Sequence, residues 1–471
     1  MKNTTSKIAL RFLTLCLLVI TPVAKSLAQD FQRAYGTSLD NSFSKVIKDG
    51  TNYYVLGQNE STEGAPQFGT VTRLDANGLH QWTLESNVAS VWNDAVLTPT
   101  GDLLVVGSTL PLDASSKSLI GLVTPAGGGN FTWLRSYLEP GTGKNSFTRI
   151  VKNPNPLNAA FPYYVLGIQS KNGNPTINDV VLLNLNINGI FNFKKKYESS
   201  LDNDFARDLE LAGGGAMLIA GNNRIEGHVG NACIFLIDNA GTMLTGAQID
   251  APDATFTDVA VSSTGEIYAT LTTITNSAQF MKFSSDLGLI GAGAIPQLTA
   301  ANQIWEGNEG EIYATGRGNF AGVARDVILK VTESGVVLDW VKYLNTGTTF
   351  QSGSSWLMPN GQIAYTDSRV IPGGFGQNCA FISLSDAELN TCGVSEGVGS
   401  IQFLSPFGSG PILPLAQFQE IPSGTDITIF QALNWQQAEV CSPSPCIADF
   451  TYEVECGLVT LTGQSSFVNP T

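Results

Sequence analysis

The sequence predicts an all-β chain: a seven-bladed β-propeller of four-stranded blades, closed by its N-terminal strand and followed by a small C-terminal β segment. Three observations carry that expectation. Composition is the first: 49 glycines and only 14 % charged residues suit short strands and turns, and no long window keeps the i, i+3, i+4, i+7 apolar spacing of a helix. The second is an echo. "YGTSLDNSFSKVI" from Tyr35 returns as "YESSLDNDFARDL" from Tyr197, with "YLEPGTGKNSFTRI" from Tyr137 between them. The third lies at the ends: the first strand after the leader reads like the last strand of a repeat.

Each repeat unfolds in the same order. An inner strand opens it, as in "FSKVI", "WNDAVL", "FTRIV", "FARDLEL" and "FTDVAV". The aromatic that begins it (Phe43, Trp92, Phe147, Phe205, Phe256) is expected in the core between blades. A turn and a short apolar strand follow, closing at Gly57, Gly107, Gly167, Gly221 and Gly316, with "TGEIYAT" and "NGQIAYT" as copies that lack the glycine. Then come a strand ending in an acidic or Gly turn ("VTRLDANG", "FLIDNAG") and a last strand often opened by an aromatic: Trp82, Trp133, Phe193, Trp340. A unit of about 50 residues with four strands, seen seven times, is the signature of a propeller. One such sheet cannot cover both of its apolar faces, so each must pack on its neighbours. The seventh copy, from about Ser352 to Leu384, shows three strands, and "FQRAY" at Phe31–Tyr35 matches the missing fourth. Pairing there would hide an exposed edge.

These motifs resemble the bacterial repeat family whose consensus runs Trp, Tyr, Asp, an apolar pair, an Asp-Gly turn, Tyr-Val-x-Gly and Lys-Leu-Asp-x-x-Gly. The matching residues include Tyr35, Asp40, Asp49, Gly50, Tyr54, Val55, Gly57, Leu74, Asp75, Gly78 and Trp82, and the resemblance spans roughly 31–390. It implies a large exported protein similar to those of the Bacteroidota, with adhesion and surface modules.

The expected organisation is a leader at 1–28, the propeller at 29–393, an additional β segment or linker at 394–440, and an incomplete sandwich at 441–471. Lys2, Lys7 and Arg11 precede an apolar run from Phe12 to Ile20, and Ser26-Leu27-Ala28 offers small residues at a cleavage site, which reads as a secretory signal. That run is too short to span a bilayer, and no other stretch reads as a membrane helix. The mature chain is therefore expected to be secreted or surface-exposed. Beyond Val394, "IQFLSP", "LPLAQFQEI" and "TDITIFQALNW" read as strands, either extra cover for the propeller or a small β module. "ADFTYEVECGLVTLTG" resembles the opening of a PKD-type immunoglobulin-like sandwich whose later Trp-Asp-Phe-Gly-Asp-Gly segment is missing, so the chain is expected to be a fragment or truncated.

Six cysteines remain once Cys16 leaves with the leader. In an exported chain they can oxidise; Cys379 with Cys392 and Cys441 with Cys446 are plausible local pairs, although six cysteines allow fifteen connectivities. Cys233, in "NACIFLID", reads as a small buried apolar residue.

Function is harder to read. With 40 acidic against 25 basic residues, the chain lacks the clustered cations of a nucleic-acid binder. His80 and His228 are its only histidines and have no ligand-spaced partner. No GxSxG occurs. "EPGTGKNS" around Lys144 imitates a phosphate loop, but Asn145 replaces the Ser or Thr that would hold magnesium. "SSDLGLI" imitates an Asp-box, and a hairpin turn accounts for Asp286 and Gly288. Carboxylates are the remaining candidates: Asp40, Asp94, Asp202 and Asp204 sit at or near the entry to inner strands. They could hold calcium or supply the acid pair of a glycoside hydrolase or lyase, but capping of tight turns through their own backbone is the favoured explanation. The expected role is a non-catalytic recognition or display module for a polysaccharide or surface protein, needing no cofactor. Its rim loops would be Asn59–Phe68, Leu110–Ser118, Asn153–Phe161 and Asn222–Gly230. The rivals are a propeller hydrolase or lyase using channel-mouth carboxylates, and a structural spacer.

Overall fold

The computed structural model describes 31–36 and 40–357 apart from short connecting segments, then 362–369, 379–385 and individual strands as far as 463. The leader at 1–28 lies outside the described residues. The chain is all-β apart from a single 3-10 turn at Gly213–Gly215 among those residues. No helix there is long and apolar enough to cross a membrane.

The strands form antiparallel meanders of four. Phe205–Leu211, Met217–Asn223, Asn231–Ile237 and Met243–Ile249 pair in sequence order, and the units beginning at Asn145, Thr255 and Leu298 repeat that order. Two further units share one 18-residue strand, His80–Leu97. Its first half closes the unit begun at Asn41, and its second half opens the next. Middle strands such as "YYVL" (Tyr53–Leu56) and "LLVV" (Leu103–Val106) are buried on both faces, which is why they read as unbroken apolar runs rather than alternating ones. The strand Phe31–Gly36 pairs with Cys379–Ser385 in the register Phe31 to Leu384 through Tyr35 to Ala380. It thereby supplies the fourth strand of the last unit, Ser355–Leu357 and Ile363–Arg369 being the first two.

The landmarks of the repeat have physical causes. Six inner strands carry a β-bulge two residues before their first packed aliphatic: Phe43/Lys45, Trp92/Asp94, Phe147/Arg149, Ala206/Asp208, Phe256/Asp258 and Ala301/Gln303. The closing glycine sits opposite that bulge. A Cβ at Gly221 would lie 1.9 Å from the Phe205 carbonyl, and one at Gly107 2.0 Å from that of Val91, so only glycine fits. The Thr255 unit keeps its bulge with Leu271 in that place. The acidic turns are Asx turns: Asp75 Oδ1 accepts the N–H groups of Asn77 and Leu79, and Asp238 those of Ala240 and Thr242.

The echoed tyrosine joins units. Tyr35 packs on Phe43 with ring centroids 5.5 Å apart, and Tyr137 on Phe147 at 6.0 Å, each pair crossing from one unit to the next. The Tyr197 hydroxyl donates to the Gly241 carbonyl in the following unit's turn at 2.6 Å, and Tyr35 makes the same bond to Gly78. Phe43, Trp92, Phe147 and Phe256 are buried as expected. Phe205 is a correction. Ala206 takes the aromatic's register position, because one extra residue separates Phe205 from the apolar run, and Phe205 instead borders a cavity.

The tail follows a single path. Val394–Gly397 pairs with Leu338–Leu344, Gln402–Phe403 with Leu289–Ile295, Ser409–Gly410 with Met243–Ile249, and Ala416–Gln419 with Phe191–Glu198. Gly424–Asp426 then pairs with Asn130–Tyr137, Phe430–Leu433 with the first half of His80–Leu97, and Gln436–Cys441 with Phe31–Gly36. Each unit thus gains a fifth strand, taken in the reverse of chain order. Beyond it, Phe450–Glu455 and Leu458–Gly463 form a hairpin.

Candidate functional site

Inner strands of consecutive units touch one another from Asn41–Asp49 through His80–Leu97, Asn145–Lys152, Phe205–Leu211 and Thr255–Val261 to Leu298–Glu306. The residue just after each bulge therefore meets its equivalents: Lys45, Asp94, Arg149, Asp208, Asp258 and Gln303 form one polar layer. Its wiring repeats. Asp94 Oδ2 accepts the N–H of Ile150 at 3.0 Å, Asp208 Oδ2 that of Val259 at 3.0 Å, and Asp258 Oδ2 that of Ile304 at 2.8 Å. Each carboxylate thus ties its strand to the next unit. The other oxygens take cations: Lys45 Nζ lies 3.2 Å from Asp94, and Arg149 bridges Asp208 at 2.7 Å and Asp258 at 3.4 Å.

The electrostatics follow from enclosure. Burial alone would lower the basicity of Arg149, but Asp208, Asp94 and Asp258 outweigh it and hold the guanidinium charged. Burial, and then the Asp208 carboxylate beside it, raises Asp258 well above the usual carboxylate range.

A cavity opens on each side of this layer. One, of about 760 Å³, is lined by the bulge residues Ser44, Asn93, Thr148, Arg207, Thr257 and Asn302, together with Lys144 and the outer faces of Lys45 and Arg149. The other, of about 670 Å³, takes in Asp94, Asp208 and Asp258 and the next turn of each strand. There Glu210 stands at the level of Ile47, Val96, Val151, Ala260 and Trp305. This apolar surrounding, and then the negative charge of Asp208, pushes its carboxyl up to about 8, so it is protonated at neutral pH.

The expected site residues divide. Asp94 belongs to the polar layer. Asp40 and Asp204 line neither cavity; the Asp40 carbonyl accepts the Glu60 N–H at 2.9 Å, and buried Asp204 donates its N–H to Asn178 at 2.7 Å. Asp202 lies outside the described residues. Among those described, no cluster of three His, Cys, Asp or Glu side chains is arranged to hold a metal. Cys233 is buried and its thiol is pushed up by burial. The side chains of Cys379, Cys392, Cys441 and Cys446 lie outside the described residues, as does His228. His80 bonds to Thr83 at 2.9 Å, and Asp286 shapes a hairpin turn with Ser284. Of the rim loops, Leu110–Ser118 reaches the larger cavity through Leu112, whereas Asn153–Phe161 leaves from the opposite end, beyond Lys152.

Sequence reading passed over Arg149, Asp208, Asp258 and Glu210. A signal for the first three was present: "FSK", "WND", "FTR" and "FTD" each place a charge two residues after the aromatic, and "FARD" does so once the extra residue is allowed for.

No family model matches the chain, and no curated protein does. Solved structures similar to it include the polysaccharide lyase Uly1, at 10 % identity and a TM-score of 0.49 over 75 % of this chain and 90 % of that one. A NanB sialidase from Streptococcus pneumoniae gives 10 % and 0.43 over 75 % and 69 %. A puromycin-hydrolysing peptidase from Mycobacterium tuberculosis gives 11 % and 0.45 over 76 % and 52 %. Overlaps this loose, at identities this low, carry no inference about the chemistry of this chain, which rests on its own residues.

Proposed function

We propose that the units close into a seven-bladed propeller and that the protein is an exported recognition module, taking a glycan at the larger channel cavity. Support for closure comes from chain geometry. Leu433, on the edge of the Asn41 unit, and Gln436, on the edge of the Ser355 unit, are three Cα steps apart. Three steps span at most about 11 Å, so the first and last units are neighbours. Tyr35 against Phe43 supports the same junction. Export is supported by the charged, apolar and small-residue order of the first 28 residues.

One observation carries the non-catalytic reading: Asp94, Asp208 and Asp258 each spend one oxygen on a neighbouring backbone N–H and the other on a cation. Carboxylates used in this way hold strands together rather than await a substrate proton. A glycan array on the intact protein should give ligands that bind without being cleaved, and Asn93→Trp with Thr257→Trp, which fill the cavity, should abolish that binding. A second reading, a hydrolase or lyase, is favoured by Glu210, a carboxyl still protonated at neutral pH and so fit to be a general acid. Release of new sugar ends, lost in Glu210→Gln with folding intact, would establish that reading instead.

A further inference from the structure

We infer that the ligand of the larger cavity is an acidic oligosaccharide, held by Arg207 and Lys144; this rests on the reading of that cavity as the recognition face. The chain carries a formal charge of −15, yet among the described residues the lining of this cavity contains Lys45, Lys144, Arg149 and Arg207 and no Asp or Glu. The acids that share its floor all point to the other side, where they neutralise Lys45 and Arg149. Lys45 and Arg149 are thus engaged by carboxylates of the polar layer, which leaves Lys144 and Arg207 as the other two cations of the lining.

Those two are placed without a carboxylate partner among the described residues. Arg207 is the bulge residue of its strand, so its side chain leaves the ladder and enters the cavity, where it lies 5.9 Å over the Phe205 ring. Its side chain is exposed to the cavity; partial desolvation by the walls, and then the nearby Arg149 guanidinium, make its charge harder to hold, and an anion between the two would offset that repulsion. Lys144, from the segment that imitates a phosphate loop, is held at the rim by its neighbours: Gly143 N–H donates to Ser170 Oγ at 2.6 Å, and the Lys144 carbonyl accepts from Ser170 N–H at 2.8 Å. Half of the lining residues carry a hydroxyl or amide, Ser146, Thr148, Thr257 and Asn302 among them. A compact phosphate would use few of these groups. A sugar chain bearing carboxylates meets hydroxyls with hydroxyls and offers charge to Arg207 and Lys144. The volume of 760 Å³ falls within the roughly 300–1,000 Å³ of ligand-binding clefts.

Titration calorimetry of the full chain with tetragalacturonate, and with the galactotetraose that lacks its carboxylates, tests this. The acid should bind and the neutral sugar should not. Arg207→Gln and Lys144→Gln should each weaken binding about tenfold, as removal of one charge-assisted contact does, and added salt should weaken it further. Both residues are on the cavity wall rather than in the polar layer, so folding is checked by unchanged circular dichroism. Equal binding of galactotetraose, lost in Asn93→Trp, overturns the inference and leaves the recognition cavity standing. Tetragalacturonate binding that neither cation variant nor Asn93→Trp disturbs overturns both. Binding of neither sugar overturns the inference.

Discussion

Glu210 is an acid in an apolar ring of side chains, and its raised carboxyl gives stability a definite pH slope. The folded value, about 8, lies above that of the unfolded chain, so the native state binds the extra proton. Its contribution is therefore complete below the ordinary carboxylate range and lost as pH rises through about 8. Glu210→Gln should remove that part of the slope, leaving the variant more stable than the parent above pH 8 and little changed at pH 5; melting temperatures across that range would show it. Glycine opposite the bulge makes a second prediction. Gly221→Ala must move the backbone carbonyl 1.9 Å from the new Cβ, and should cost about 1–3 kcal/mol or more in denaturant unfolding. Gly213, with open space around a Cβ, is the control and should tolerate alanine. The glycines were legible in the sequence as closing landmarks, but the reason for them was not, since a bulge on the partner strand leaves no letter of its own. Phe205 shows the converse. Its identity matched the pattern while its register did not, because one inserted residue moves an aromatic to the other face.

At the scale of strands, the polar layer acts as a set of rivets. Each Asp grips the next inner strand by an N–H, and Arg149 reaches carboxylates on two different units. Arg149→Met would leave Asp208 and Asp258 facing each other without a cation. Breaking a buried ion pair in this way costs about 3–5 kcal/mol. The loss should be larger at pH 8 than at pH 5: Asp258 is already raised, and without the guanidinium the folded state holds protons to still higher pH, so stability falls more steeply as pH rises. Unfolding curves of the variant at the two values check the sign. Little of this layer could be read from sequence. The four-strand order was plain because it repeats locally, whereas residues 59 and 109 positions apart, Arg149 with Asp208 and Asp258, meet only when separate sheets are set side by side. Asp40, Asp94, Asp202 and Asp204 were selected by proximity to strand entries, a criterion that ignores which way a bulge turns each side chain.

For the molecule as a whole, the outer edges are the place to test assembly. Removing 394–471 should leave the inner and middle strands protected from hydrogen exchange while the six fourth strands from His80–Leu97 to Leu338–Leu344, and the N-terminal strand, exchange faster; uniform loss of protection would mean that the sheets do not stand without their covering strand. The tail was legible only as strands in search of a sheet, since segments of two to six residues carry too little alternation to name a partner.

That covering strand runs backwards along the series of units and finishes on Phe31–Gly36, close in sequence to the strand that opens the first unit. Like a drawstring, it can be pulled tight only after the bag is sewn, so a nascent chain must lay down every sheet before its last stretch has anything to fasten. A load applied at the C-terminus would undo it one stitch at a time, starting at Phe31–Gly36, and a force trace should show a train of small, evenly ordered releases before any sheet gives way.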